Sequence, residues 1–202
     1  MFAAVLFDLD NTLIDRDRAF RALVRASLPF GGEVLDELVA LDGGGYGERG
    51  ALFRRWSELG GGRLDSQQFA LAIASHVRPQ GDLLRALRML SDLAPLAIIS
   101  NGGVAGQMAK WRAAGLDAVV PRDRVWVSEA VGLRKPDPAI FQLACTSLNV
   151  APRDCLYVGD QPRIDIAGAQ AAGMSTRLTT SPLRPQCILR LGRSILNVEC
   201  KS

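Results

Sequence analysis

The 202 residues carry 24 Lys and Arg against 21 Asp and Glu, a formal net charge of +3, and 48% of them are hydrophobic. That length suits one compact domain or one domain with a small insert, and that composition excludes a disordered chain. The scattered excess of arginine is too weak to argue for nucleic-acid binding, and no apolar run is long enough to cross a membrane.

Taken in chain order, Ala3 to Leu9 reads as a buried strand, a short apolar run ending in charge. From about Asp17 the pattern turns helical, with Phe20, Leu23, Val24 and Leu28 on one face and Pro29 as the stop. Glu33 to Leu41 predicts a second helix and Glu48 to Leu59 a third, separated by the glycine-rich break Gly43 to Gly47. Gly60 to Gly62 precede another helix near Ser66. No convincing strand falls between about Asp15 and Pro79.

Then the character changes. Asp82 to Leu93 predicts a helix, Pro95 to Ser100 a strand, and Val104 to Ala114 a helix closed by Gly115. Val125 to Ser128 reads as a short strand, Pro138 to Leu148 as a helix, and Cys155 to Val158 as a strand. Asp165 to Ala172 and Met174 to Leu178 supply a further helix and the last strand. Strands alternating with helices indicate a parallel sheet covered on both faces. The expected fold is α/β, a doubly wound Rossmann-like parallel sheet with a small helical cap inserted after the first strand. Residues 1–14 and 80–202 form the core and 15–79 the cap. In the tail from Ser181, residues Ile188, Leu189, Leu191, Ile195 and Leu196 suggest packing on that core.

Four cysteines, Cys145, Cys155, Cys187 and Cys200, lie far apart in sequence and match no zinc or redox spacing. Free thiols in a reducing cytoplasm are the simplest reading.

In a doubly wound sheet, ligands sit beyond the carboxyl ends of the strands. The first strand here ends in Asp8-Leu9-Asp10-Asn11-Thr12, the second in Ser100-Asn101-Gly102, and a later one in Gly159-Asp160, with Asp165 following. Asp8, Asp160 and Asp165 together concentrate negative charge, which calls for a cation, and hard oxygen ligands beside phosphate suit Mg2+. A carboxylate there can attack a phosphoryl group to give an acyl-phosphate. Lys135 and the Ser100 hydroxyl are placed to hold phosphoryl oxygens, with backbone amides near Asn101 and Gly102. Asp10 suits proton transfer to the leaving oxygen and then from water.

Four motifs in order, Asp8-Leu9-Asp10-Asn11-Thr12-Leu13, Ser100-Asn101-Gly102, Lys135-Pro136-Asp137-Pro138 and Gly159-Asp160 through Asp165, resemble those of the haloacid dehalogenase-like hydrolases. The resemblance runs from the first strand to about Leu178. It implies that Asp8 is nucleophile and metal ligand, and that Asp10 is acid/base and metal ligand through its carbonyl. It implies that Ser100 and Lys135 bind the phosphoryl group, that Asp160 ligates Mg2+ and that Asp165 supports the metal site. The second aspartate favours a phosphatase over a dehalogenase. The expected substrate is a small phosphorylated metabolite; the assembly is expected to be a monomer or weak homodimer, a choice the sequence leaves open. Ile164 departs from the pattern, standing where many relatives carry a polar residue.

Singly, each motif residue has a plainer reading: turn residues at Asp10 to Thr12, a helix cap at Asp165, a solvated loop lysine at Lys135. His76 reads as a surface or packing residue, and Trp56, Trp111 and Trp126 as packing. Arg16, Arg18, Arg54 and Arg55 are candidates for an anionic substrate, against the plainer reading of solvated helix faces. Two competing functions are a phosphomutase of the same fold and a non-enzymatic phospho-acceptor or binding module. The first is disfavoured because no histidine follows the first motif. The second is disfavoured because a receiver-type acceptor follows a middle strand.

Overall fold

The computed structural model describes residues 2–29, 31–180 and 182–195. Its centre is a five-stranded parallel sheet in the order β3-β2-β1-β4-β5. The strands are β1 (Ala4–Phe7), β2 (Leu96–Ser100), β3 (Val125–Val127), β4 (Cys155–Gly159) and β5 (Ser175–Leu178). Every residue of β1, β2, β3 and β4 is buried, as expected of apolar runs covered on both faces. Strand β1 pairs with β2 on one side and β4 on the other, Phe7 facing Ile98 and Val158. The chain order therefore reverses across β1, and the carboxyl end of that strand is the switch point where a crevice opens.

Helices α1 (Arg16–Ser27), α2 (Gly32–Asp42), α3 (Arg49–Glu58) and α4 (Ser66–His76) follow β1, and no sheet strand lies among them. Short-range chemistry sets their starts. Asp15 caps α1 by accepting from the Arg18 amide, and Asp65 with Gln68 forms a capping box on α4. Phe20, Trp56, Phe69 and Ile73 from these helices join the apolar cluster that covers Val5, Phe7 and Ile98 on one sheet face. Phe69 is the hub, with Phe20, Phe53 and Trp56 rings edge-on to it. Trp56 and Trp111 pack, each donating its indole N–H to a carbonyl, of Gly61 and Val120.

The remaining helices are α5 (Gly81–Ser91), α6 (Val104–Ala113), the single turn α7 (Ser128–Val131), α8 (Pro138–Ser147), α9 (Ala167–Ala171) and α10 (Pro185–Ile195). Gly106 of α6 lies against Ala70 of α4; a Cβ there would sit 2.4 Å from the alanine methyl, so only glycine allows the approach. The tail folds back on α5, burying Ile188 and Leu191. Leu189, expected to pack with them, is 42% exposed because α10 turns it outward. The Ile195 side chain, Leu196 and Cys200 lie outside the described residues. Sequence spacing gave no cysteine pair, yet α8 and β4 bring Cys145 and Cys155 to 3.7 Å between sulfurs, both as buried free thiols.

Among the described residues, no helix is long and apolar enough to cross a membrane.

Candidate active site

Asp8 continues β1 beyond Phe7, its amide donating to the Val158 carbonyl, so its carboxylate stands at the switch point. It is 3% exposed. Lys135, whose side chain is fully buried, reaches across from the loop before α8. Its ammonium lies 2.6 Å from Asp8 Oδ1, 2.7 Å from Asp165 Oδ1 and 3.0 Å from the Tyr157 hydroxyl. Burial disfavours that ammonium, but Asp8 and Asp165 more than restore it and hold its pKa above the ordinary lysine value.

Asp165 was expected at the start of a helix. It sits instead in a wide π-type turn, Pro162–Ile166, that precedes α9. This turn folds its side chain back under Gly159, where an added Cβ would meet the carboxylate at 2.5 Å. Tyr157 and the Gln161 amide also donate to it. Asp160 receives a bond from Gln161 Nε2 at 2.7 Å.

Asp8, Asp160 and Asp165 each bring a carboxylate oxygen within 4.8 Å of the others. Burial pushes Asp8 up to about 7, with Lys135 opposing and Asp165 reinforcing the rise. Burial likewise lifts Asp160 to about 6, with Gln161 opposing and Asp165 reinforcing. Asp8 Oδ2 and Asp160 Oδ1 are buried and have no hydrogen-bond partner among the described residues. Two partnerless anionic oxygens beside a third carboxylate form a donor set for a hard divalent cation.

Asn101 and Lys135 tie the loop after β2 to the loop before α8 reciprocally. Asn101 Nδ2 donates to the Lys135 carbonyl, and the Lys135 backbone amide to Asn101 Oδ1, both at 2.9 Å. The Gly102 amide donates to Ser128 Oγ. Ser100 is buried, its hydroxyl oxygen 2.6 Å from Gln107 Nε2.

Residues 2–173 match the haloacid dehalogenase-like hydrolase family. The chain belongs to that family. It is 30% identical to a glyceraldehyde 3-phosphate phosphatase of Methanopyrus kandleri, over 87% of this chain and 83% of that protein. A 91-residue stretch is 37% identical to a phosphoserine phosphatase of Thermus thermophilus, covering 45% of this chain and 36% of that one. The fold is also that of the HAD-hydrolase YfnB of Bacillus subtilis bound to magnesium, with a TM-score of 0.73, 22% identity, and 98% and 99% of the two chains covered.

The structure adds residues to this hydrolase's site that the motifs do not contain. Gln107 and Lys110 project from α6 and are both buried. Lys110 pairs with both oxygens of Asp10, and Gln107 donates to Asp10 Oδ2 at 3.0 Å. Burial tends to raise Asp10, but Lys110 and Arg16 outweigh it and hold its carboxyl below the usual range. The signal was present in the sequence: two polar residues three apart on the face of a helix that otherwise buries Gly106, Met108 and Trp111.

The four candidate arginines separate. Arg16 is buried, with both terminal nitrogens on Asp42, and lines a cavity of about 260 Å³ above Asp10, Asn101 and Gly102. Arg18 is exposed on α1, Arg54 faces Glu48 at 3.7 Å, and Arg55 is bound to Glu37. Arg49 and Arg134, absent from the candidate set, do line the cavity, as do Gly44 and Gly45 of the glycine-rich break. His76 ends α4 outside that cavity.

Proposed function

We propose that this hydrolase is a Mg2+-dependent phosphate monoester hydrolase that transfers the phosphoryl group of a small metabolite to Asp8 and then to water. One observation carries the reading: Asp8 is buried with one oxygen held by Lys135 and the other unpartnered, beside the unpartnered Asp160 Oδ1. The relatives named as phosphatases support the same reaction class.

Asp8 and Asp160 would hold the metal, with the Asp10 carbonyl as a further ligand and Asp165 bracing the site. Bound there, it supplies positive charge that offsets repulsion between carboxylate and phosphoryl oxygens. The chain's own groups do the rest. Ser100, Lys135 and the backbone around Asn101 and Gly102 hold the phosphoryl oxygens. An Asp8 oxygen forms a bond to phosphorus as the ester P–O bond breaks, and Asp10 hands a proton to the departing oxygen. Asp10 then takes a proton from water, which attacks phosphorus, frees phosphate and regenerates Asp8.

The pairing of Asp10 with Lys110 bears on this assignment. A carboxylate held ionised is ready as the base of the second step, but must be protonated before it serves as the acid of the first. Esters with good leaving groups are therefore the expected better substrates.

Residues 15–79 act as a lid in this reading, hinged near 11–16 and 79–82, excluding water during phosphoryl transfer and admitting it afterwards. Opening has to part α4 from α6 at the Ala70–Gly106 contact.

The test is steady-state release of phosphate from 4-nitrophenyl phosphate with Mg2+, with excess chelator, and after restoring Mg2+. Activity that chelator removes and Mg2+ returns is expected. Full activity in chelator would contradict the metal assignment, and no turnover under any condition would contradict the hydrolase reading.

A further inference from the structure

The cavity above Asp10 has a one-sided charge. Its wall carries Arg16, Arg49, Lys110 and Arg134 against the single carboxylate Asp10. Two of the cations are consumed. Lys110 is paired with Asp10, and Arg16 spends its fork on Asp42, which is 1% exposed behind the wall. Arg49 shares Asp42 through one nitrogen, 2.9 Å away, and gives another to the Gly45 carbonyl at 3.0 Å. Its guanidinium lies over the Phe69 ring, 5.1 Å from the centroid, which fixes its plane. The Arg134 side chain has no ion pair or hydrogen bond among the described residues, and it precedes Lys135 directly. Counting Asp10, Asp42 and Asp17, which lies 3.4 Å from Arg16, against the four cations leaves a net positive charge of one, carried by Arg134 together with the partly engaged Arg49.

The reacting phosphoryl group does not account for that charge. In the proposed reaction it is held by Lys135 and Ser100, whereas Arg49 and Arg134 line the cavity that Asp10, the proposed acid for the leaving oxygen, also lines. Taking the chain as a phosphate monoester hydrolase acting at Asp8, we infer that its substrate carries a second anionic group. That group is a carboxylate or a second phosphate, and Arg49 of α3 and Arg134 recognise it.

Guanidinium groups match either anion with paired N–H donors. An uncharged polyol would leave Arg134 without a counter-ion and Arg49 with only its share of Asp42. The cavity, about 260 Å³, lies below the ~300–1,000 Å³ common for small-molecule sites, which suits a compact substrate. Phosphoserine carries a carboxylate at its far end, beside an ammonium, whereas glyceraldehyde 3-phosphate carries no charge there. On this criterion the cavity sides with the former chemistry although the longer match is to a phosphatase named for the latter.

The test compares kcat/KM, with Mg2+ present, for 3-phosphoglycerate, 1,3-propanediol bisphosphate and sn-glycerol 3-phosphate. The first two separate carboxylate from phosphate as the second anion, and the third, whose far end is uncharged, is the reference. At least one anionic ester should exceed the reference by about tenfold or more, which corresponds to ~1.4 kcal/mol. Arg134→Gln and Arg49→Gln should each lower that ratio severalfold. The ratio is the readout, so a general loss of rate does not imitate the effect, and the exposed position of Arg134 keeps its variant folded. Equal kcat/KM for all three esters, or a preference intact in both variants, would overturn the inference while leaving the hydrolase reading standing. No phosphate from any ester, 4-nitrophenyl phosphate included, would overturn both.

Discussion

Lys110 meets Asp10 across the gap between α6 and the loop after β1, its ammonium on both carboxylate oxygens and 2.6 Å from Oδ1. The pair spans 100 residues of sequence and joins a helix that carries no motif to the carboxylate proposed to move protons.

Lys110→Met should therefore lower kcat more than it changes KM. Removing the ammonium frees the Asp10 side chain to rotate, leaving Gln107 as its hydrogen-bond donor. General acid–base catalysis contributes ~10²–10⁴-fold, so loss of positioning should remove on the order of tenfold or more. Lys110→Arg should recover part of it. A variant with normal kcat and a raised KM would place Lys110 in substrate binding instead.

Asp42→Ala should destabilise the fold strongly. Asp42 is buried and accepts from Arg16, Arg49 and the Gly45 amide, so its removal leaves the buried Arg16 with only the half-exposed Asp17, 3.4 Å away, as an ion-pair partner. Breaking one side of a buried pair costs ~3–5 kcal/mol. In a protein of this size that is a fall in Tm on the order of 10 °C. Urea unfolding gives the free energy directly, and a change under about 1 kcal/mol would show that the site relaxes to hydrate Arg16.

Metal binding should shift stability in a pH-dependent way. Burial raises Asp8 to about 7 and Asp160 to about 6 in the fold, above the ~3.9 of an unfolded aspartate. The metal-free fold thus binds more protons than the unfolded chain between roughly pH 4 and 7. Stability from these groups is present at the acid side and lost as pH rises through the folded values. Mg2+ competes with those protons, so its stabilising effect should be small at pH 5 and large at pH 8. Thermal melts with and without Mg2+ at both values test this, and an equal gain at both would contradict it.

How far the sequence reached follows from the range of the interactions. Asp8, Ser100 and Asp160 were legible because each ends an apolar run, and the strand period and the switch point do the rest. Element ends fell within a residue or two where a local cap marks them, as Asp137 and Pro138 mark α8. What was hidden depends on rotation about a helix axis or on tertiary approach. Arg49, Arg54 and Arg55 share α3, but only Arg49 turns toward Asp42 and the cavity. Gln107 and Lys110 gain meaning only once α6 packs beside β1. Leu189 follows Ile188 by one residue, a step of about 100° that turns it off the face of α10 packed on α5. The contact of Cys145 with Cys155 arises from α8 crossing β4, which no spacing rule encodes.

The most direct test of the account is chemical capture of the phosphoryl group on Asp8. Asp10→Asn keeps the backbone carbonyl and nearly the same shape but cannot pass a proton. With an aryl phosphate, whose leaving group needs little protonation, transfer to Asp8 should proceed and hydrolysis should stall. Rapid quench of that variant should show a burst of phenol, and mass analysis of the quenched protein should place one phosphoryl group on the peptide containing Asp8. The same treatment of Asp8→Asn should give neither. Equal loss of rate for alkyl and aryl esters in Asp10→Asn, with no burst and no adduct, would contradict Asp10 as acid/base, and turnover persisting in Asp8→Asn would contradict the nucleophile itself.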